Sequence, residues 1–369
     1  MSYLEKIEKI CKINSYTQNK KGVDEVAKQM KLWMENIGFE TTIYKRETLG
    51  DHILFKSPKV SGDKILLLGH NDTVFPIGTF ETYTSDDKYI YGPGVCDMKG
   101  GNIVALEALT NIYNENKTIN NIDFLLVSDE ETGSDDSKFL TLELAKDYDY
   151  CFVFEAAGPN LEVVTARKGV GTYTITIEGK ASHAGTSYLK GINANLEASY
   201  KLQELTKLTN LELGTTVNVG KINGGIGANT ISPKCEMLLE IRYKLNSEKI
   251  RLLKALDDIT KKSYVNGTIS TLDGLIQRDV MEENQNQLNF IKDLESITNS
   301  NIKTEHRGGV SDANHIASCG IITLDGFGPY GDGDHTIKER ALIRSFKQRI
   351  DMMTKILKKH QEKYNFKGV

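Results

Sequence analysis

A scattered set of imidazoles and carboxylates in this chain stands where apolar runs stop, and such groups bind cations or move protons. His70 and Asp72 fall in HND after the run ILLLG, Glu130 and Glu131 in SDEE after IDFLLV, Glu155 after CFVF, and His335 in GDGDHT near the C-terminus. Asp97 stands by itself in GPGVCDMKGG, residues 92 to 101, between a Pro/Gly turn and a Gly-Gly pair that opens a helical pattern. Mixed imidazole and carboxylate donors suit zinc, with manganese or cobalt as alternatives. Two such ions held about 3.5 to 4 Å apart need a shared anionic ligand. Asp97 in its tight turn is the natural bridge, with His70 and His335 at the two ends.

Side chains two apart in an extended segment share a face, so Asp72 is expected to reach the other ring nitrogen of His70 and fix its tautomer. Glu130 and Glu131 are adjacent and expected on opposite sides, one binding metal and the other facing the substrate water as general base. Taken singly, each acidic residue is as readily a helix cap or a solvated turn. Their conjunction is what points to a polynuclear centre. Cys96 has no base beside it to make it a nucleophile. The five cysteines are scattered without a C-x-x-C pair, so neither a thiolate zinc site nor a disulfide framework is suggested.

Bringing these groups together requires strands that end at a common edge. Lys64 to Gly69, Ile122 to Val127 and Cys151 to Phe154 read as buried strands, and Thr41 to Lys45 and His52 to Lys56 as two more. Helical spacing runs from Val23 to Ile37, from Gly100 onward with Ile103, Ala105, Leu106 and Leu109 on one face, and from Lys138 to Ala145. This alternation describes an α/β sheet with its site in the crevice at the carboxyl ends of the strands. From about Gly169 the pattern changes, because Tyr173, Ile175 and Ile177 alternate with Thr172, Thr174 and Thr176, as in a half-exposed antiparallel strand. A helix at Asn193 to Leu208, strands at Thr216 to Ile222 and Cys235 to Tyr243, a helix at Ser247 to Lys262 and a strand near Thr268 to Leu272 complete a βαββαβ order, the ferredoxin-like arrangement. Helices at Asn284 to Ile297 and Ile337 to Lys359, with a strand at Ile321 to Leu324, return the chain to its first pattern. The expected organisation is a discontinuous mixed-sheet α/β domain, residues 1–168 and 281–369, interrupted by a ferredoxin-like domain, residues 169–280. Strand alternation places Arg242 off the apolar face of Met237, Leu239 and Ile241. Gly308 and Gly309, before Ser311, would present backbone amides at a helix start, a place to receive a carboxylate.

The 369 residues, 39% of them hydrophobic, suffice for about two domains of ordinary size. A net charge of −4 provides no basic field, so nucleic acid is not an expected partner. The opening MSYLEKIEKICKI interleaves charge with apolar residues as a helix does, unlike a signal peptide, and no run approaches the ~20 apolar residues that cross a bilayer. A cytoplasmic protein without a membrane partner is expected.

GHNDTVFP, GPGVCDMKGG, SDEETGS, FEAA, GKASHAGT and the C-terminal GDHT resemble, in order and over nearly the whole chain, the motifs of the co-catalytic zinc metallopeptidase and aminoacylase family, nearest in motifs to its bacterial glutamate carboxypeptidase branch. The resemblance implies a zinc-exopeptidase catalytic domain with an inserted lid and dimerisation domain. It implies two Zn2+ per subunit, with Asp97 as bridge, His70 and Glu155 completing one site, and Glu131 and His335 the other. Glu130 becomes the general base on a metal-bridging water, and the bond from Asp97 to Met98 is expected to be cis. His183 in GKASHAGT matches a lid histidine that polarises the scissile carbonyl, often from the partner subunit of a homodimer. Arg242 and Asn229 match residues that hold a substrate carboxylate, a task a planar guanidinium suits. Two departures bear on substrate identity: Tyr188 and Leu189 replace a customary Pro-Glu, and Asn229-Thr-Ile-Ser-Pro233 carries one residue more than the usual motif.

The expected activity is hydrolysis of the amide bond of small substrates with a free carboxylate, a C-terminal glutamate or an N-acyl amino acid. A dipeptidase or tripeptidase of the same family is the near alternative, and a non-catalytic peptide-binding relative the remote one. A two-metal phosphoesterase lacks a basic phosphate clamp.

Overall fold

The computed structural model describes residues 1–365. In chain order the elements are α1 (Tyr3–Cys11), α2 (Lys20–Glu35), β1 (Glu40–Tyr44), β2 (His52–Lys56), β3 (Ile65–His70), β4 (Thr84–Ser85), β5 (Tyr89–Tyr91), α3 (Lys99–Asn116), β6 (Ile122–Val127), α4 (Ser137–Ala145), β7 (Tyr150–Val153) and β8 (Val163–Arg167). There follow β9 (Gly169–Glu178), α5 (Ala194–Thr206), β10 (Thr216–Gly224), β11 (Lys234–Tyr243), α6 (Asn246–Lys261) and β12 (Ile269–Arg278). The last are α7 (Gln285–Thr298), β13 (Thr304–Arg307), α8 (Ala313–Ser318), β14 (Ile322–Leu324), β15 (Gly331–Asp332), β16 (Arg340–Leu342) and α9 (Ile343–Asn365).

Two compact units divide the chain. The first takes Met1–Thr165, Glu283–Arg307 and the chain from Ser311 on; the second takes Ala166–Glu282 and Gly308–Val310. Residues 366–369 of the expected 281–369 segment lie outside the described residues.

In the first unit six strands form a mixed sheet in the order β1-β2-β6-β3-β7-β14. β6, β3, β7 and β14 run parallel to one another, while β2 is antiparallel to both β6 and β1. β3 and β6 are buried along their whole length, as central parallel strands covered on both faces must be. Helix α3 is buried on nearly every side, packed against α1 and α9. Gly101 permits its approach to the sheet, since a Cβ there would lie 1.9 Å from the carbonyl oxygen of Phe154. Lys99, also buried, donates to the carbonyls of Ile10 (3.1 Å) and Ile13 (2.9 Å), a cation at the C-terminal end of α1.

The second unit is ferredoxin-like: β9-α5-β10-β11-α6-β12 folds into an antiparallel sheet of order β10-β11-β9-β12. Ile175, Ile177, Met237, Leu239 and Ile241 pack with Leu252 and Leu256 of α6 in a core of its own. The expected alternation along β9 is observed, with Thr172, Thr174 and Thr176 half-buried.

The last helix differs from expectation. It starts at Ile343, not Ile337, because residues 340 to 342 form β16 and pair with β5 in the register Arg340↔Tyr91, Ala341↔Ile90 and Leu342↔Tyr89. A helical period in IKERALIRSF is overridden where a partner strand satisfies the backbone. Gly308 and Gly309 do not stand at a helix start either. α8 begins at Ala313, and the carbonyls of Gly308 and Gly309 accept from Arg242 and Arg167 at 3.1 Å each.

Candidate metal centre

Three parallel neighbours, β6, β3 and β7, end at one edge of the sheet. The register pairs His70 with Val127 and Leu68 with Val153, so the residues just beyond β6 and β7 come level with the end of β3. That edge carries His70, Glu130, Glu131 and Glu155. The loop between β5 and α3 brings Asp97 to the same place, and its bond to Met98 is cis. The loop after β15 brings His335.

The result is two clusters that share one residue. Ligand atoms of His70, Asp97 and Glu155 lie within 4.8 Å of one another, as do those of Asp97, Glu131 and His335. His70 Nε2 is 3.2 Å from Asp97 Oδ1 and 3.7 Å from Glu155 Oε1. His335 Nε2 is 3.2 Å from Asp97 Oδ2 and 3.1 Å from Glu131 Oε2. Each oxygen of Asp97 therefore faces a different His–Glu pair, the disposition of a bridging carboxylate.

Asp72 prepares this arrangement from behind. Its backbone oxygen lies 3.0 Å and its Oδ1 3.3 Å from His70 Nδ1, which leaves Nε2 as the nitrogen turned to the centre. The same carboxylate accepts the N–H of Glu130 (3.3 Å) and Glu131 (3.2 Å) and the hydroxyl of Thr17 (2.7 Å). Glu130 and Glu131 lie on a 3-10 turn, Glu130–Thr132, rather than an extended segment. They diverge because successive residues of such a turn are about 120° apart, and Glu131 alone of the two joins a cluster.

The groups of the centre shift one another's protonation. Burial and then the charge of Asp97 raise Glu131 to about 8 and push Glu155 well above the carboxylate range. Burial pushes Asp97 up as well, but hydrogen bonds from His335 and His70 outweigh it and hold that carboxyl low. His335 is raised to about 11 by its bonds to Asp97 and Glu131. In His70 burial opposes protonation, and Asp72 and Asp97 overcome it. Each cluster, imidazole with carboxylates, is a donor set that could hold a divalent cation. Burial, and then the charge of Glu339, push the Cys96 thiol well above its ordinary value.

Residues 66–359 match the sequence profile of peptidase family M20/M25/M40. The chain belongs to this family. Among M20 relatives, carboxypeptidase G2 of Pseudomonas sp. strain RS-16 is 26% identical over 362 residues, spanning 95% of this chain and 87% of its own. A tripeptidase of Staphylococcus aureus subsp. aureus Mu50 shares the fold at a TM-score of 0.79 and 22% identity, covering 96% of this chain and 97% of its own. So does Bacillus subtilis YxeP, described as a dinuclear metal-binding M20 peptidase, at 0.71 and 13% identity, covering 98% of each chain. The chain is thus an M20-family hydrolase of the metallopeptidase kind, with a candidate site for metal. Among its described residues no helix is long and apolar enough to cross a membrane.

The remaining sequence candidates lie in the second unit. His183 is exposed, and its Nδ1 accepts N–H from Gly185 (3.1 Å) and Thr186 (3.2 Å). It bridges Thr230, and the Ala184 N–H donates to the carbonyl of Asn229, so His183 and Asn229 occupy adjacent loops. Arg242 is half-buried; its Nε and Nη2 bond Glu240 at 2.7 and 3.3 Å, and its Nη1 bonds the Gly308 carbonyl. Sequence reasoning missed Thr17 and Glu339. Thr17 follows a helix end with no mark of its own. Glu339 was hidden by the misread start of α9, which placed it on a helical turn.

Proposed function

We propose that the chain is a dinuclear metal-dependent hydrolase that cleaves the amide bond of small substrates bearing a free carboxylate, a C-terminal glutamate or an N-acyl amino acid. One observation carries this reading: the two oxygens of Asp97 each face a separate His–Glu pair. Kinship with carboxypeptidase G2 over almost the whole chain supports the carboxylate-bearing substrate. His70, Asp97 and Glu155 would hold one ion, and Asp97, Glu131 and His335 the other. Zn2+ fits the donors best, with Co2+ or Mn2+ as alternatives. When bound, such ions supply Lewis-acid polarisation and a water of lowered pKa.

Glu130 is the general base. Its backbone is pinned through Asp72 beside Glu131 while its own carboxylate stands outside both clusters, which suits it to take a proton from the attacking water and return it to the leaving amine. His183 stabilises the oxyanion. Two backbone N–H groups donate to its Nδ1, so the neutral ring carries its proton on Nε2, where it can donate to a carbonyl oxygen. Arg242 receives the substrate carboxylate. Glu240 and Gly308 use three of the five guanidinium N–H groups, leaving one on each terminal nitrogen, and Asn229 adds an amide. The second unit would act as lid and homodimer contact.

Metal analysis of the purified protein, with a substrate panel of N-acyl amino acids, peptides ending in glutamate, dipeptides and tripeptides, tests the reading. Two metal equivalents and release of free amino acid are expected. Glu130→Gln should lower kcat by roughly 10²–10⁴-fold at unchanged metal content. Metal-free protein, or a fully active Glu130→Gln variant, would sink it; cleavage of dipeptides or tripeptides alone would replace the substrate class.

A further inference from the structure

The loop that carries Asp97 is held by a residue the mechanism above does not use. Glu339 is buried, and its Oε2 accepts the N–H of Gly94 at 2.9 Å while Oε1 accepts those of Cys96 at 3.0 Å and Asp97 at 3.1 Å. Its backbone carbonyl accepts the N–H of Gly92 at 3.3 Å. One residue therefore satisfies four amides of the segment from Gly92 to Asp97.

The same residue closes the turn that presents His335. Thr336 N–H donates to Gly333 O at 3.0 Å, and Glu339 N–H to Thr336 O at 3.1 Å. His335 sits in that turn with φ 60° and a side chain 59% exposed. His70 and Glu155, by contrast, stand at or just past the ends of central strands and are buried. Apart from the shared Asp97, the two halves of the centre are thus built differently: one on buried strand ends, the other on the Glu131 turn, fastened by Asp72, and on the His335 turn, which Glu339 closes and ties to the Asp97 loop.

We propose that Glu339 is a positioning residue that keeps the His335 turn in register with the Asp97 loop and so sets the affinity of the second cation position, formed by Asp97, Glu131 and His335. The inference rests on the reading that both clusters hold metal. A glutamine cannot do the same work, because an amide presents one acceptor oxygen and turns its other atom into a donor facing an N–H. An aspartate keeps the charge but falls one methylene short of spanning Gly94 and Asp97. Outer partners of this kind typically govern metal affinity by 10- to 100-fold.

The test is a Co2+ titration of metal-stripped wild type, Glu339→Gln and Glu339→Asp, followed by heat and by the cobalt visible absorption, with far-UV circular dichroism to establish folding. Wild type should take two equivalents. In Glu339→Gln the second equivalent should bind roughly 10- to 100-fold more weakly while the first changes by less than about threefold, and the visible absorption of the second cobalt should saturate only at correspondingly higher concentration. Glu339→Asp should fall between, and it decides the matter if the glutamine variant does not fold. Two equivalents bound as in wild type would overturn the inference and leave the dinuclear reading standing. Equal weakening of both would overturn it too, marking Glu339 as general scaffolding. A wild type that binds no pair of ions removes the dinuclear reading, and this inference with it.

Discussion

Asp72 reaches further than its place two residues after His70 implies. Besides facing Nδ1 of that ring, its carboxylate fastens the backbone of Glu130 and Glu131 and takes the Thr17 hydroxyl. A charged acceptor in a buried site makes such bonds strong, and it aligns a ligand, the proposed base and a second ligand at once. His183 is the other residue whose local bonds speak to its role, since the two amides on Nδ1 leave Nε2–H as the donor. If it serves a partner subunit's centre, mixing His183→Ala chains with Glu130→Ala chains should restore activity, up to about one quarter of wild type for random heterodimers with one intact site in two. Steady-state assay after subunit exchange measures this. No recovery despite demonstrated exchange would assign His183 to its own subunit or to no catalytic role.

At the level of elements, the centre depends on how closely α3 meets the end of β7. Gly101 faces the Phe154 carbonyl, one residue before Glu155, and a methyl group there would have to move backbone rather than a flexible side chain. Gly101→Ala should therefore cost about 1–3 kcal/mol of stability, read from the shift of a urea midpoint. Because the strain falls beside Glu155, metal affinity should drop with it. A variant as stable as wild type would show that α3 can withdraw freely. Element boundaries were largely legible from period, since burial of one face leaves its mark on local spacing, as along β9. β16 was not, because Arg340 to Leu342 are strand through pairing with β15 on one side and, on the other, with β5, about 250 residues earlier.

The described residues form two separate hydrophobic cores, one around α3 and the mixed sheet, the other beneath the ferredoxin-like sheet. All the residues proposed to bind metal belong to the first. Ligands that bind only the folded state stabilise it by mass action, about 2.7 kcal/mol at a hundredfold excess over Kd. Chelation should therefore lower the melting temperature of the first unit by several degrees, at roughly 2–4 °C per kcal/mol for this size, and spare the second. Differential scanning calorimetry with and without EDTA would show one shifted transition and one fixed; two transitions moving equally would contradict a centre confined to the first unit.

What the sequence determined by itself was the inventory of donors and the family. His70, Asp97, Glu131, Glu155 and His335 are marked because chemistry demands those residue types and because apolar runs stop beside them. Tertiary structure alone decided which Asp97 oxygen faces which pair and that Glu339 fastens the Asp97 loop. Periodicity records which face of an element is buried, but not what lies opposite it. The bond from the Cys96 amide to Glu339 spans 243 residues, a distance over which no local pattern carries information.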